Sequence, residues 1–509
     1  SSDAQRYMRA FSHVPLLAIE APRSVLVICF GVGNTAHAAS LHPSVERIDL
    51  ADLSKNVLAH AGWFAATNGG VLDDPRVSVF VNDGRQHLRM QPPGTYDLVT
   101  LEPPPISHAG VSALYSKEFY DLVRSRLADG GYVTQWLPVQ QLGGPETLAL
   151  VRAFVDVFPS AVLLSGERWD LVLMGTKGPP IALDPAVIAR RLRERPRVAE
   201  DLDRVALGRP AELFGAFTAS AGALLRATAG AAPVTDDAPS MEYSVVSKLM
   251  TAHVPRALFD VGGVYAFCPA CRDLPDLDAH LRVLDRLYAS PAFLHFESFA
   301  PVPLEVDLPS VLEGDDGSAA RAVAHSAYLQ RIAGIDPDGV PLSLRRSQLA
   351  ALEAYAGKHT DQALPALRLG LAYLAAGAVA PAEAPLRRAV DLAPDLAPAH
   401  FALALALRRA RKPDLAVTEY RRGLDLAPRD VPARMGLVDA LLAAGHGEEA
   451  APEVARVLAL DPDNGPAHAT LCLERMYRGA LDEARDQCKR ALDGGATLDP
   501  GLVAQLFGP

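Results

Sequence analysis

From Ser24 onward, short apolar runs alternate with amphipathic stretches: SVLVICF (24–30), VERIDLAD (45–52), RVSVFVND (76–83), YDLVTLE (96–102) and GYVTQWLP (131–138). Runs of that length, separated by segments of helical periodicity, predict a parallel sheet with helices on both faces. SKNVLAHAGWFAATN (54–68) and SKEFYDLVRSRLADGG (116–131) are the clearest helical segments, the second predicted to stop at Gly130 and Gly131. After PETLALVRAFVDVFP (145–159) come two strand-like pieces, SAVLLSG (160–166) and WDLVLMG (169–175), close enough together to form a hairpin. Residues 180–250 are predicted helical, ending in the turn-rich TDDAPSMEYSVV and a last strand or edge segment. Residues 251–360 carry helical patterns (LDAHLRVLDRLYA, RAVAHSAYLQRIA) broken by FAPVPLEVDLPS and EGDDGS, and are predicted to be a helical connector.

From about residue 361 the pattern repeats. Pro394, Pro428 and Pro462 are spaced 34 apart, as are Ala382, Ala416, Ala450 and Ala484. A third register holds Gly377, Gly445 and Gly479, with Arg411 at its missing position. A period of 34 is that of tetratricopeptide repeats, in which a small Ala lets two antiparallel helices approach, Gly relieves the turn, and Pro follows the second helix. Four repeats are predicted at 363–396, 397–430, 431–464 and 465–498, with 499–509 as a capping helix. The division is therefore 1–250, 251–360 and 361–509.

Composition narrows the function classes. A chain of 509 residues is too long for one core and predicts two or three domains. Its formal charge of -11, with no basic stripe, argues against nucleic-acid binding, which takes clustered Lys and Arg. The longest early apolar run, VLVICF, is far short of the roughly 20 residues of a membrane span. Five scattered cysteines predict a reducing, cytoplasmic setting, with Cys268 and Cys271 a reduced pair in preference to a zinc or redox site. The first residues, SSDAQRYM, lack an initiator Met, which predicts a trimmed or partial chain.

Candidate chemistry collects after the strands of the first region. Gly31 and Gly33, in CFGVGNT, would let backbone approach a ligand closely. Asp52 ends the second strand 21 residues after Gly31, placed to accept from ribose hydroxyls; Asp49, inside the strand, reads as structural. In VNDGR, Asp83 is placed to bond an adenine amino group, and Gly84 leaves room for the ring. Glu102 ends the fourth strand at the edge where α/β folds put their chemistry, and Pro103, Pro104 and Pro105 stiffen the loop beyond it. His108 near that loop reads as a solvated side chain before it reads as a base, and Trp136 and Tyr115, at strand ends, as core before they read as lining an acceptor pocket.

These residues resemble the polyamine aminopropyltransferases of the spermidine synthase type, over residues 3 to about 178. The resemblance is carried by Asp3 and Tyr7, by HVPL (13–16), LDDPRV (72–77) and LYSKEFY (114–120), and by the VFP of 157–159. It implies a class I Rossmann-like S-adenosylmethionine-binding fold. It also implies a donor site for decarboxylated S-adenosylmethionine at Gly31, Gly33, Asp52, Asp83 and Gly84, substrate contacts at Tyr7 and Tyr115, and no metal. The acceptor half departs from the pattern: Cys29 stands at the loop's first glycine, Val32 at its acid, Pro105 at the second acid of the catalytic motif, Met8 and Arg9 at a His-Glu pair, and Trp136 at a pocket Glu. A polyamine is a di- or trication that needs several carboxylates to hold it and to strip a proton. With Glu102 the one clear survivor, the expected function is a transferase acting on an acceptor other than a standard polyamine, with Glu102 as the catalytic residue.

Two alternatives follow. Loss of the loop acid would admit the carboxylate of intact S-adenosylmethionine near Val32 and Asn34, giving a small-molecule methyltransferase. A catalytically silent first domain would leave a scaffold whose repeats capture a protein or peptide. The EPPP loop and the TDDAPSMEY tail also resemble bacterial spermidine-synthase-like proteins fused to membrane domains and to repeats, which implies tethering to the inner membrane through an upstream region.

Overall fold

The computed structural model describes residues 5–104, 106, 110–166, 170–243, 251–289, 295–297, 322, 326, 328–329 and 346–507. The chain divides into two compact units, Ser1–Ile332 and Ala333–Pro509.

In the first unit the apolar runs become β1 (Ser24–Ile28), β2 (Arg47–Asp52), β3 (Val77–Val81), β4 (Tyr96–Leu101) and β5 (Leu127–Pro138). β6 (Val162–Ser165), β7 (Asp170–Thr176) and a short β8 (Phe217–Ala219) complete one sheet in the order β3-β2-β1-β4-β5-β7-β6-β8. The first five pair in parallel, and β7 runs antiparallel to both β5 and β6. Two halves wound outward from β1 and β4, closed by a hairpin, define the class I Rossmann-like fold. β1 is apolar throughout its buried stretch because both faces are covered; Val25, Leu26, Val27 and Ile28 are all buried.

Two predicted helical segments are shortened: 54–68 breaks into two short helices either side of the 3-10 turn Ala61–Phe64, and 116–131 ends early. The helices in chain order are α1 (Gln5–Ala18), α2 (Asn34–Ser40), α3 (Lys55–Ala59), α4 (Ala65–Asn68), α5 (Gly84–Met90) and α6 (Lys117–Arg126). α6 stops before Gly130 and Gly131 because Leu127 already pairs with Tyr96, and the glycines take up the irregularity that follows, Gly130 at φ 81. A bulge, not a helix cap, is what these glycines serve.

α1 is locked by a buried polar chain. Asp201, on α9 (Pro196–Asp203; α7 is Gly144–Val157 and α8 Pro185–Glu194), accepts from Arg9 Nε at 2.8 Å and from His13 Nε2 at 3.0 Å. His13 Nδ1 lies 3.0 Å from His42 Nε2, and His42 Nδ1 lies 3.3 Å from Arg195 Nη1. Arg195 can only donate, so His42 accepts at Nδ1 and donates from Nε2, and His13 donates to Asp201. Burial, with His13 and Arg195 nearby, holds the His42 pKa well below its usual value, as this neutral relay requires. Arg9 is thereby committed to structure.

Among 251–360, LDAHLRVLDRLYA forms the helix Leu277–Ala289, while most of RAVAHSAYLQRIA lies outside the described residues, as do FAPVPLEVDLPS and EGDDGS. The expected reduced pair is corrected. Cys268 and Cys271 form a disulfide across one short turn, Cα–Cα 5.3 Å, and Cys472 and Cys488 form another between the two helices of the last repeat, Cα–Cα 5.1 Å. Both separations fall in the range a disulfide spans, which sequence spacing does not reveal. Cys29 is the free thiol among the described residues.

The second unit opens with the helix Arg346–Lys358 and continues as four helix pairs: Ala363–Ala375 with Val379–Leu392, Ala397–Arg409 with Pro413–Leu426, Val431–Ala443 with Gly447–Leu460, and Gly465–Tyr477 with Leu481–Asp493. Pro500–Phe507 follows as a last helix. Ala382, Ala416, Ala450 and Ala484 are buried where the helices cross. The turn register is left-handed at all four positions, Gly377 (φ 74), Arg411 (φ 59), Gly445 (φ 81) and Gly479 (φ 74), so Arg411 adopts a glycine conformation.

The repeats also share a polar staple. His400 reaches the Pro394 carbonyl (3.0 Å) and Glu419 (2.7 Å); Arg434 reaches the Pro428 carbonyl (2.5 Å) and Glu453 (2.5 Å); His468 reaches the Pro462 carbonyl (2.9 Å) and Gln487 (2.7 Å). Each ties the end of one repeat to both helices of the next.

Candidate functional site

The carboxyl ends of β1 to β4 converge where the strand order reverses, the place at which such sheets bind ligands. Cys29, the residue after β1, marks the convergence: Asp52 from β2, Glu102 from β4 and Asp83 after β3 all act on its thiol, which burial first and these acids second push up to about 12. The thiol is therefore protonated and a poor nucleophile at neutral pH. Its backbone is left-handed (φ 68), a conformation that glycine adopts freely and other residues rarely do.

The loop that follows is built on Gly31 (φ 57) and Gly33 (φ 89). A Cβ on Gly31 would meet nothing within 4 Å, whereas one on Gly33 would lie 2.5 Å from the Phe30 ring. Gly31 thus leaves open space at the loop, and Gly33 seats the loop on the core. Asn68 fixes the Val32 carbonyl at 3.0 Å. Asn34, the first residue of α2, is buried with its Oδ1 lacking a hydrogen-bond partner.

Asp52 accepts the Phe30 amide at one oxygen and the Ser54 amide at the other, each 2.7 Å. A carboxylate has about four lone-pair positions, so two remain for ribose hydroxyls. Asp83 caps α5 by accepting the Gln86 amide at 2.8 Å. Gly84 has a nearer reason to be glycine than an adenine ring, since a Cβ there would collide with Ile28 Cγ2. Asp49 is structural, accepting from Tyr96 (2.6 Å) and Arg47 (2.8 Å), and these bonds, with His87, outweigh its burial and hold its pKa at about 2.

Glu102 accepts a hydrogen bond from the Tyr7 hydroxyl. Burial lifts its carboxyl to about 7; the Tyr7 bond opposes that rise, and Asp170 adds to it. Tyr7 itself is held protonated by burial, then by Glu102 and Asp170, so it acts as a fixed donor. Its ring stacks on Trp136, centroids 6.4 Å apart at 15°, and the Trp136 indole donates to Asp170 at 3.2 Å. Tyr115 is fully buried beside Cys29 and Glu102, and its hydroxyl makes no hydrogen bond of normal geometry even though Gln135 acts on it; Gln135 Oε1 is likewise unsatisfied.

Met8 is buried and touches Asn34 through its sulfur at 3.6 Å. The tail closes over this side of the sheet: Glu242 accepts the Gly110 amide (2.7 Å) and the Ser112 hydroxyl (2.6 Å), and Asp236 pairs with Arg85 (2.6 Å). Asp3, Pro105 and His108 lie outside the described residues. Among the described residues no group of His, Cys, Asp and Glu is arranged to hold a metal ion, and no helix is long and apolar enough to cross a membrane. The sequence reading missed Asp170, whose strand-edge position carries no signal until β7 is laid antiparallel to β5 and brings it opposite Pro138.

Residues 4–142 match the family model of the spermine/spermidine synthase domain, and residues 407–473 match a tetratricopeptide repeat model. Spermidine synthase 2 of Datura stramonium is 35% identical over 133 residues, covering 26% of this chain and 41% of that protein. Spermidine synthase of Coffea arabica is 31% identical over 196 residues, 35% of this chain and 59% of that protein. The crystal structure of spermidine synthase from Thermotoga maritima aligns over 35% of this chain and 62% of its own, at 23% identity and a TM-score of 0.30. The chain thus spans about two fifths of the length of the first of these curated relatives. It joins a spermine/spermidine synthase domain near its N-terminal end to a C-terminal array of tetratricopeptide repeats.

Proposed function

We propose that residues 1–250 form an alkyl transferase of the aminopropyltransferase type, followed by a connector over 251–360 and by repeats over 361–509 that present a surface to a protein or peptide partner. The donor is decarboxylated S-adenosylmethionine, seated by Gly31, Gly33, Asp52, Asp83 and Gly84. The observation that carries this reading is Glu102: a carboxyl at the end of β4, oriented by Tyr7 and titrating at about 7, is matched to proton abstraction near neutral pH.

In the reaction, Glu102 takes a proton from the acceptor nucleophile, whose freed electron pair attacks the donor carbon attached to positive sulfur. The new bond to carbon forms as the carbon–sulfur bond breaks, and sulfur leaves with the electron pair as a neutral thioether. No charge has to be created on the leaving group, so positioning supplies most of the rate. Tyr7 holds Glu102 and Tyr115 lines the acceptor side.

Methyl transfer from intact S-adenosylmethionine is the second reading, favoured by Val32 at the loop's acid position, where a side chain without charge would not repel the donor's carboxylate. Incubation of the protein with each donor and an amine pool, read by mass spectrometry of the thioether, separates the two. Methylthioadenosine identifies aminopropyl transfer and S-adenosylhomocysteine identifies methyl transfer. Neither product from the wild type, or the same yield from Glu102→Gln, would refute the catalytic role.

A further inference from the structure

Tyr7 reaches Glu102 from α1, so whatever fixes α1 fixes that bond. Arg9, two residues further along α1, spreads its guanidinium over three elements. Nε donates to Asp201 of α9 at 2.8 Å, Nη1 to Gln5 of α1 at 2.8 Å, and Nη2 to the Thr67 carbonyl of α4 at 3.1 Å. Arg9 and Asp201 are 1% and 3% exposed, and His13 of α1 reaches the same carboxylate oxygen at 3.0 Å. The residue after Thr67 is Asn68, whose side-chain amide donates to the Val32 carbonyl of the glycine loop and to the Ala61 carbonyl, each at 3.0 Å. One buried fork therefore joins the helix that carries Tyr7 to the segment that supports the loop. α1 has anchors besides this one: Arg6 donates to the Gly166 carbonyl at 2.8 Å, and Thr35 of α2 accepts from Ser12 at 2.8 Å and donates to the Met8 carbonyl at 3.1 Å. A buried ion pair adds little stability beyond an apolar filling of the same volume, whereas a planar guanidinium fixes direction.

We propose that Arg9, held by Asp201, is a positioning residue that couples the two halves of the site, keeping α1 with its Tyr7 and α4 with its Asn68 in one register. This rests on the transferase reading above and adds to it how donor and acceptor are kept aligned. A displacement at carbon needs the attacking atom, the donor carbon and the base in place together, and a misplacement of about 1 Å costs about a hundredfold. The loop seats the donor and Tyr7 orients the base, so a slip between α1 and α4 falls directly on that alignment. Arg9 is one of the positions at which this chain departs from the family pattern, so the coupling is this chain's own.

Arg9→Lys keeps the charge beside Asp201 but has no fork to reach Gln5 and Thr67 as well, and the remaining anchors of α1 should keep the variant folded. Calorimetry is expected to show methylthioadenosine binding weakened about fivefold by Arg9→Lys and about as much by Asn68→Ala, with the double variant no weaker than either alone. Glu102 is read separately, by the pH dependence of urea unfolding compared with Glu102→Gln in each background. The Tyr7 bond lowers the Glu102 carboxyl, so loosening it in Arg9→Lys should raise the midpoint from about 7 by about one pH unit, about tenfold in the proton-linked part of the unfolding equilibrium. Where the wild type turns over, Arg9→Lys should lower kcat about tenfold or more, but less than about twofold in a Tyr7→Phe background, a dependence that a merely structural role would not give. Asp201→Asn, which keeps an oxygen for His13, should give the same shifts in smaller measure, and it decides the matter if Arg9→Lys does not fold. A folded variant in which either methylthioadenosine binding or the Glu102 midpoint is unchanged overturns the coupling, as does a full further loss of kcat in the Tyr7→Phe background. Both shifts with no thioether formed from either donor would support the coupling and refute the transferase reading.

Discussion

Replacing Glu102 by Gln keeps the acceptor oxygen for the Tyr7 hydroxyl and removes the titration, so its effect on stability depends on pH in a way that geometry alone would not give. The folded carboxyl sits at about 7 against an ordinary 4.5. At about 1.4 kcal/mol for each tenfold change in proton affinity, the difference is worth about 3 kcal/mol. The sign follows from the direction of the shift. The folded chain holds the Glu102 proton to higher pH than the unfolded chain does, so this contribution is fully present below about 4.5, falls as pH rises to about 7, and is absent above it. The glutamine side chain of the variant does not titrate and loses nothing over that range. Glu102→Gln is therefore expected to gain about 3 kcal/mol relative to the wild type between pH 4 and pH 8.5. Urea unfolding followed by tryptophan fluorescence measures it cleanly, because the chain's three tryptophans, Trp63, Trp136 and Trp169, all belong to the first unit. The same substitution should lower transfer at pH 8 by about a hundredfold or more and abolish any rise in rate through pH 7. A stability difference between wild type and variant that stays flat from pH 4 to 8.5 would refute the assignment of a desolvated, near-neutral carboxyl.

Further expectations concern the rest of the chain. Arg411→Gly removes a side chain from a left-handed turn and should stabilise the second unit by about 1 kcal/mol, read as a shift in its thermal or urea midpoint; an unchanged or lowered midpoint would mean that the turn is not strained. Glu453→Ala leaves the part-buried Arg434 without its carboxylate and should cost about 3 kcal/mol, whereas Glu449→Ala, on the exposed side of the same helix, should leave the unfolding midpoint nearly unchanged. Under denaturing, non-reducing conditions alkylation should label one cysteine, Cys29, and after reduction five; labelling of all five without reductant would remove both disulfides.

The strands and repeats were legible because each rests on a pattern that local physics enforces. β1 must be apolar along its length to be buried on both faces, and a helix pair needs its Ala, its turn residue and its Pro at fixed intervals. Less legible was anything set by how distant segments meet. Gly84 was legible as a glycine near a ligand, yet the contact that excludes a side chain is Ile28, from another strand. Gly130 and Gly131 look like a helix stop in one dimension and serve a strand irregularity in three. Cys29 reads as an ordinary substitution until its φ of 68 shows it holding a glycine's conformation. Trp136, which reads as core before it reads as pocket lining, is buried, and its bond to Asp170 appears only once β7 is laid beside β5. Side chains at consecutive strand ends can be read from spacing, while a cluster assembled from α1, β4, β5 and β7 cannot.

The staples at His400, Arg434 and His468 bear on how the array bends. Each spans from a proline six residues upstream to a partner nineteen residues downstream, a stretch shorter than one period, and it crosses the joint between consecutive repeats. Curvature of the array is thus set joint by joint by side-chain chemistry rather than by the crossing of apolar faces alone. Duplicating or deleting a whole period carries every staple with it and leaves the arc unchanged, whereas an insertion inside a repeat would cut one and turn that joint into a hinge.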